Sequence, residues 1–218
     1  MGAKTWMLVY ADVDARASLT AQPALDREAT RRLADALFPG ERLEPAGEGD
    51  LSHTCPPDDE LHIGCFQGVS IVAAREFGGD RPSRLAPRFL TAAAGGSLTL
   101  HAMHSVVDWF AYARWANGKL LRSLSVSPDS GVIEDIGPRS SFEEPYWCGE
   151  HPVESDDEAD AYPLPFHPLE LGEAALAELF GYQLEGTIDA ALLEPESIPL
   201  LRYRRSRPSR WRLWRRTT

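Results

Sequence analysis

The sequence predicts an α+β fold: a mixed or mainly antiparallel sheet with helices packed on one face, in a ferredoxin-like βαββαβ order extended by a β-hairpin. Three observations predict it. Short apolar runs rich in strand formers alternate with stretches of helical periodicity. Gly, Pro and Asx residues punctuate the boundaries between them. Asn117-Gly118 separates two strand-like runs, and both residues tolerate the positive φ that a two-residue type I′ loop requires.

In chain order, Lys4 to Ala11 (KTWMLVYA) is short, apolar and rich in strand formers. Asp26 is a good N-cap for an amphipathic helix from Arg27 to Phe38, stopped by Pro39-Gly40. Arg42 to Ala46 reads as a short strand. Leu61 to Phe66 and Val69 to Arg75 read as two strands joined at Gln67-Gly68, by a tight turn or through a bulge at Gly68. Ser83 to Ala94 has a helical pattern, with Pro87 near the first turn and Gly95 as its stop. Leu98 to His104 is a further strand, entered from Gly95-Gly96. The hairpin register set at Asn117-Gly118 then pairs Ala116 with Lys119, Trp115 with Leu120, Ala113 with Arg122 and Ala111 with Leu124. Period-two alternation puts Trp109, Ala111, Trp115, Leu120, Leu124 and Val126 on one core face. The opposite face, with Phe110, Tyr112 and Arg114, is mixed: partly covered, or a binding face. Pro128-Asp129-Ser130-Gly131 is a turn. Residues 140–168 hold five prolines and an acidic run at 154–160, and read as a loop wrapping the domain on Tyr146, Trp147, Tyr162 and Phe166. Leu171 to Phe180 is a helix with Gly181 as its C′ stop.

Composition excludes several classes. Of 218 residues, 43% are hydrophobic and 25% charged, which are globular values, so wholesale disorder is excluded. No apolar run approaches the length of a membrane span, and the N-terminus carries no cleavage-type signal sequence. Cys55, Cys65 and Cys148 are odd in number and scattered, which argues against a disulfide framework and for a cytoplasmic protein. The net charge of −11 hides an asymmetry: residues 202–218 hold eight Arg and no acid, leaving residues 1–201 at −19. An acidic body disfavours nucleic acid and suits a small ligand or cationic partner, whereas the Arg/Trp end does the reverse.

The strings MGAKTWMLVYAD, RFLTAAAG, LHAMHSVVDWFAYA, SPDSGVIEDIG, PYWCGEHPV and YPLPFHPLELGEAAL resemble an uncharacterised bacterial protein family of unknown function. The resemblance covers roughly residues 1–186 and implies no activity and no catalytic residue. The expected organisation is a single α+β domain over 1–186 and a flexible Arg/Trp-rich C-terminal tail over 187–218. That tail is expected to fold back on the acidic body, or to touch anionic lipid or nucleic acid.

No complete catalytic set is present: there is no phosphate loop and no nucleophile elbow. His101 and His104 are three apart, but on a strand they face opposite ways, so they are not read as a metal site. Asp12-x-Asp14 after a strand has the spacing of a phosphatase nucleophile and general acid, but lacks a suitably placed lysine and acidic pair. Asp129, Glu134 and Asp135 flank a turn without calcium-loop spacing. The leading expectation is a non-enzymatic binding or regulatory module of the cytosol with a protein or small-molecule partner and no cofactor. Its binding surface would be Phe110, Tyr112, Arg114, Tyr146 and Trp147. The alternative is a small metal-dependent or acid–base hydrolase using His104, Asp108 and Asp129 as catalytic residues.

Overall fold

A computed structural model describes residues 2–93, 95–153 and 162–206. Nine strands form one sheet: β1 (Lys4–Ala11), β2 (Arg42–Asp50), β3 (Glu60–Phe66), β4 (Val69–Ala73), β5 (Ser97–His104), β6 (Trp109–Ala116), β7 (Lys119–Ser127), β8 (Gly131–Ile136) and β9 (Pro199–Ser206). Their spatial order is β2-β9-β3-β4-β1-β5-β6-β7-β8. Every neighbouring pair is antiparallel.

This overturns the ferredoxin-like expectation, and the reason is physical. That order needs parallel neighbours joined by helical crossovers. Here β4 and β5 both flank β1 in the antiparallel sense. The expected second crossover helix is only α3 (Pro87–Ala92), six residues confined by Pro87 at its start. Two strands also escaped the reading of the sequence: β8, and β9, which inserts between β2 and β3. β9 lies inside the segment expected as a tail. Residues 207–218, and the acidic run at 154–160, lie outside the described residues.

Helices cover both faces rather than one. On one face α1 (Ala15–Thr20), α4 (Glu144–Trp147) and α5 (Pro168–Phe180) lie over Met7, Val9, Met103, Phe110, Tyr112, Leu124 and Val126. On the other, α2 (Arg27–Leu37) and α3 lie over Trp6, Leu8, Leu100, Trp109, Ala111, Ala113 and Trp115. The local signals hold. Asp26 caps α2 by accepting from the Ala29 amide at 2.8 Å. Gly181 ends α5 in the left-handed conformation. Gln67-Gly68 is a tight two-residue turn, with Phe66 opposite Val69.

Strand β6 is therefore buried on both sides. Phe110 and Tyr112, two of the five residues of the expected binding surface, are fully buried core residues. The register of the β6–β7 hairpin also departs from the expected one. Asn117-Gly118 fixes Ala116 against Lys119 and Trp115 against Leu120 as predicted, but a bulge follows, and Arg114 then faces Arg122. Beyond it Tyr112 pairs Leu124 and Phe110 pairs Val126. A one-residue bulge sends every later side chain of β7 to the other face. Leu124 and Val126 join the α5 side, and Arg122 turns with them.

Candidate functional site

A lateral row of residues runs across the sheet: Val9 on β1 opposite Thr99 on β5, Thr99 opposite Arg114 on β6, and Arg114 opposite Arg122 on β7. This row is the floor of a cleft of about 490 Å³. The chain entering α1 (Val13 to Ala15) and the end of α5 (Glu178 to Phe180) form one wall, and the 138–142 loop forms the other. That volume lies within the range of small-molecule sites, about 300–1,000 Å³.

The loop wall is held by a buried charge network. Arg122, 2% exposed, donates through Nε and Nη2 to the two carboxylate oxygens of Glu143, at 2.9 and 2.6 Å. Its Nη1 donates to Asp135 and to the carbonyls of Ile136 (3.1 Å) and Gly137 (3.2 Å). Glu143 also accepts from the Tyr112 hydroxyl and from the Ser140 amide at 2.7 Å. Burial alone would weaken the Arg122 charge, but hydrogen bonds to Glu143 and Asp135 hold its pKa above the ordinary arginine value. Burial and the Glu143 carboxylate both push the Tyr112 hydroxyl well above its ordinary range, so it stays a donor. Gly137 is needed where the loop leaves β8. Its φ is +82°, and a Cβ there would collide with the Leu121 carbonyl oxygen at the bulge.

The charges facing the cleft are not equally engaged. Asp14 is the N-cap of α1, accepting from the Ala17 amide at 2.9 Å. Glu178 pairs with Arg16 at 3.4 Å. Arg139 lies over the Trp147 ring at 4.4 Å. Arg114, half-buried on the floor, has no carboxylate within ion-pair distance among the described residues.

The other expected site residues are dispersed. His104 stacks on Trp6, with ring centroids 6.3 Å apart. Burial, with Lys4 and Arg75 nearby, pushes its pKa below the ordinary histidine value. Asp108, at φ +45° in the β5–β6 turn, faces His167 at 3.7 Å rather than His104. His167 Nδ1 accepts from the Leu169 amide at 3.3 Å, which leaves Nε2 to carry the proton toward Asp108. Such an imidazole has no free nitrogen to act as a base. Asp129 is exposed in the β7–β8 turn. Tyr146 is buried, donating to the Glu170 carbonyl at 3.2 Å, and Trp147 packs edge-on against Phe166 at 4.9 Å. Both anchor the segment behind the cleft wall.

His101 faces away from His104, into the α5 side of the core. Its Nδ1 meets the Thr5 hydroxyl at 2.7 Å and its Nε2 the Gly172 carbonyl at 3.0 Å, and burial pushes its pKa down to about 4. It is a neutral clamp between sheet and α5. Asp14 of the Asp-x-Asp pair is a helix cap, and Glu134 accepts from Ser83 through its amide (3.0 Å) and hydroxyl (2.7 Å). Among the described residues, no group of three or more His, Cys, Asp and Glu is placed to hold a metal ion.

Reading the sequence missed Arg122, Glu143, Thr99 and Arg139. Alternation of Leu120, Leu124 and Val126 runs unbroken through the bulge, so it left no mark in the pattern. The available signals were an arginine following two leucines in a strand and a glycine just after the next strand. No curated protein and no solved structure matches the chain. A family model matches residues 5–203, past the expected limit at 186 and into β9, and the chain belongs to that family, a family of unknown function (DUF6928).

Proposed function

We propose that this protein is a non-enzymatic binding module for a small molecule, and that the cleft over Thr99 and Arg114 is its site. The observation that carries the reading is the Arg114 guanidinium, without an ion-pair partner among the described residues, on the floor of a preformed cleft whose wall is braced by a fully buried Glu143. A braced wall keeps the cleft open without ligand and lowers the ordering cost of binding. Catalysis is not favoured there. The cleft lining includes no His, Cys or Lys, and its carboxylates are a helix cap and an ion-pair partner. The hydrolase reading finds less support, because Asp108 is turned to His167 and Asp129 stands exposed on a separate turn.

The test is a thermal-shift screen of small metabolites, followed by NMR mapping of each hit. The expected result is at least one compound that raises Tm, shifts the amides of Thr99, Arg114 and Ser140 to Phe142, and is recovered unchanged. Hits that map only elsewhere, or a compound converted at a rate that Arg114→Gln abolishes, would sink the reading.

A further inference from the structure

From the charges and walls of this cleft, we infer that its ligand is an organic carboxylate carrying an apolar body. The inference rests on the binding-module reading above and names the ligand class.

Arg114 and Arg122 stand directly opposite each other on neighbouring strands. Like charges in that position repel. Arg122 is compensated by Glu143 and Asp135, but Arg114 has no such partner among the described residues. An anion over Arg114 supplies the counter-charge that it lacks among the described residues, and a guanidinium holds a carboxylate through two parallel hydrogen bonds. Of the wall acids, Glu178 pairs with Arg16 and Asp14 caps α1, and neither is within ion-pair distance of Arg114. The chain as a whole is strongly acidic, at −11, so Arg114 does not owe its place to a generally basic composition.

Arg139 keeps its charge over the Trp147 ring, and the Asp14 carboxylate on the same lining balances it. With Arg122 and Glu178 engaged in ion pairs, Arg114 leaves one net positive charge on the lining, which matches a monoanion better than a phosphate dianion. The Thr99 and Ser141 hydroxyls line the same space and can donate to carboxylate oxygens.

Val13 is 55% and Leu121 45% exposed, and with Phe142 and Leu179 they line the cleft above the charge. Exposed aliphatic surface beside a single charge suits a ligand with an apolar part.

The probes are octanoate, its neutral isostere octanamide, and octyl phosphate, titrated into the full chain and followed by amide shifts and calorimetry. The expected result is octanoate binding at Thr99 and Arg114 at least tenfold tighter than octanamide. Arg114→Gln should remove that difference with Tm unchanged, and Arg114→Lys should retain part of it. Equal affinity for octanoate and octanamide overturns the carboxylate inference while leaving the binding-module reading intact. Tighter binding of octyl phosphate, lost in Arg114→Gln, overturns it in favour of a phosphate ligand. Binding of none of the three overturns the inference as well, and the binding-module reading is then decided by the metabolite screen alone.

Discussion

Two arginines in this sheet are almost wholly buried, and they have different neighbours. Arg122 on β7 and Arg205 on β9 have side chains 2% and 1% exposed, and each grips two carboxylates. Arg205 bonds Glu41 at 2.8 and 2.9 Å and Glu76 at 2.7 and 2.8 Å, with Phe38 4.3 Å beneath its guanidinium. It ties the turn before β2 and the turn after β4 to the sheet. Arg122 ties the loop after β8 in the same way, but that loop walls an open cleft beside Arg114, which has no ion-pair partner among the described residues. A buried ion pair by itself is therefore no mark of function. The informative charge is the neighbour that the network leaves uncompensated.

The largest expected effects are those of Arg122→Met and Arg205→Met. Arg122→Met deprives the fully buried Glu143 of its cation and Arg205→Met takes the guanidinium from between Glu41 and Glu76, and removing one partner of a buried pair costs about 3–5 kcal/mol. Urea unfolding should show losses of similar size in the two variants. Ligand binding should separate them: the Arg205 variant retains octanoate affinity, and the Arg122 variant loses it because its loop is released. Equal loss of binding in both would break the contrast.

Gly137→Ala comes next. It forces a Cβ into the Leu121 carbonyl at a φ of +82°, and the expected cost is about 2 kcal/mol, read from the urea midpoint. A neutral result would mean that the bulge and loop are not locked together.

Glu173 sharpens the comparison from the other side, as a buried carboxyl with no ion-pair cation among the described residues. Its Oε2 accepts from the Leu184 amide at 2.8 Å, while Oε1 has no partner. Burial, with Glu185 adding to it, pushes its pKa up to about 7, against the lowering effect of the Leu184 and Glu185 amides. The folded state then holds a proton that the unfolded chain releases at the ordinary carboxylate pKa. Stability should fall as pH rises between the ordinary value and about 7, and level off above it. Allowing for partial solvent contact, the fall is on the order of 2 kcal/mol. Glu173→Gln should flatten the profile measured by urea unfolding from pH 5 to pH 8. An unchanged slope would show that another group carries the titration.

The smallest effect belongs to Asp108→Asn. The Asp108–His167 pair is 41% and 28% exposed at 3.7 Å, so its loss should change stability by less than about 1 kcal/mol and leave cleft binding unaltered. Any loss of a measured hydrolytic turnover in this variant would revive the hydrolase reading.

Much of the local structure was legible in the sequence. Asp26, Pro87, Gly181, Gln67-Gly68 and Asn117-Gly118 each act within a few residues, through a cap, a fixed φ or a permitted positive φ, so their effect does not depend on what packs nearby. Arg114 was legible as a candidate because it interrupts an apolar strand. Its neighbours at the site were not.

Which strands pair, and which face each side chain takes, was decided only by the tertiary structure. Strand β9 inserts between β2 and β3 from more than 130 residues away, and no local pattern encodes that partner. The bulge on β7 was invisible because both faces of the sheet are buried: an apolar side chain is equally at home on either, so alternation cannot report the switch. That switch carries Arg122 to the α5 side, where it meets Glu143, braces the loop and leaves Arg114 alone on the cleft floor. The residue types were written in the sequence, but their meeting depended on one unpaired position in a strand.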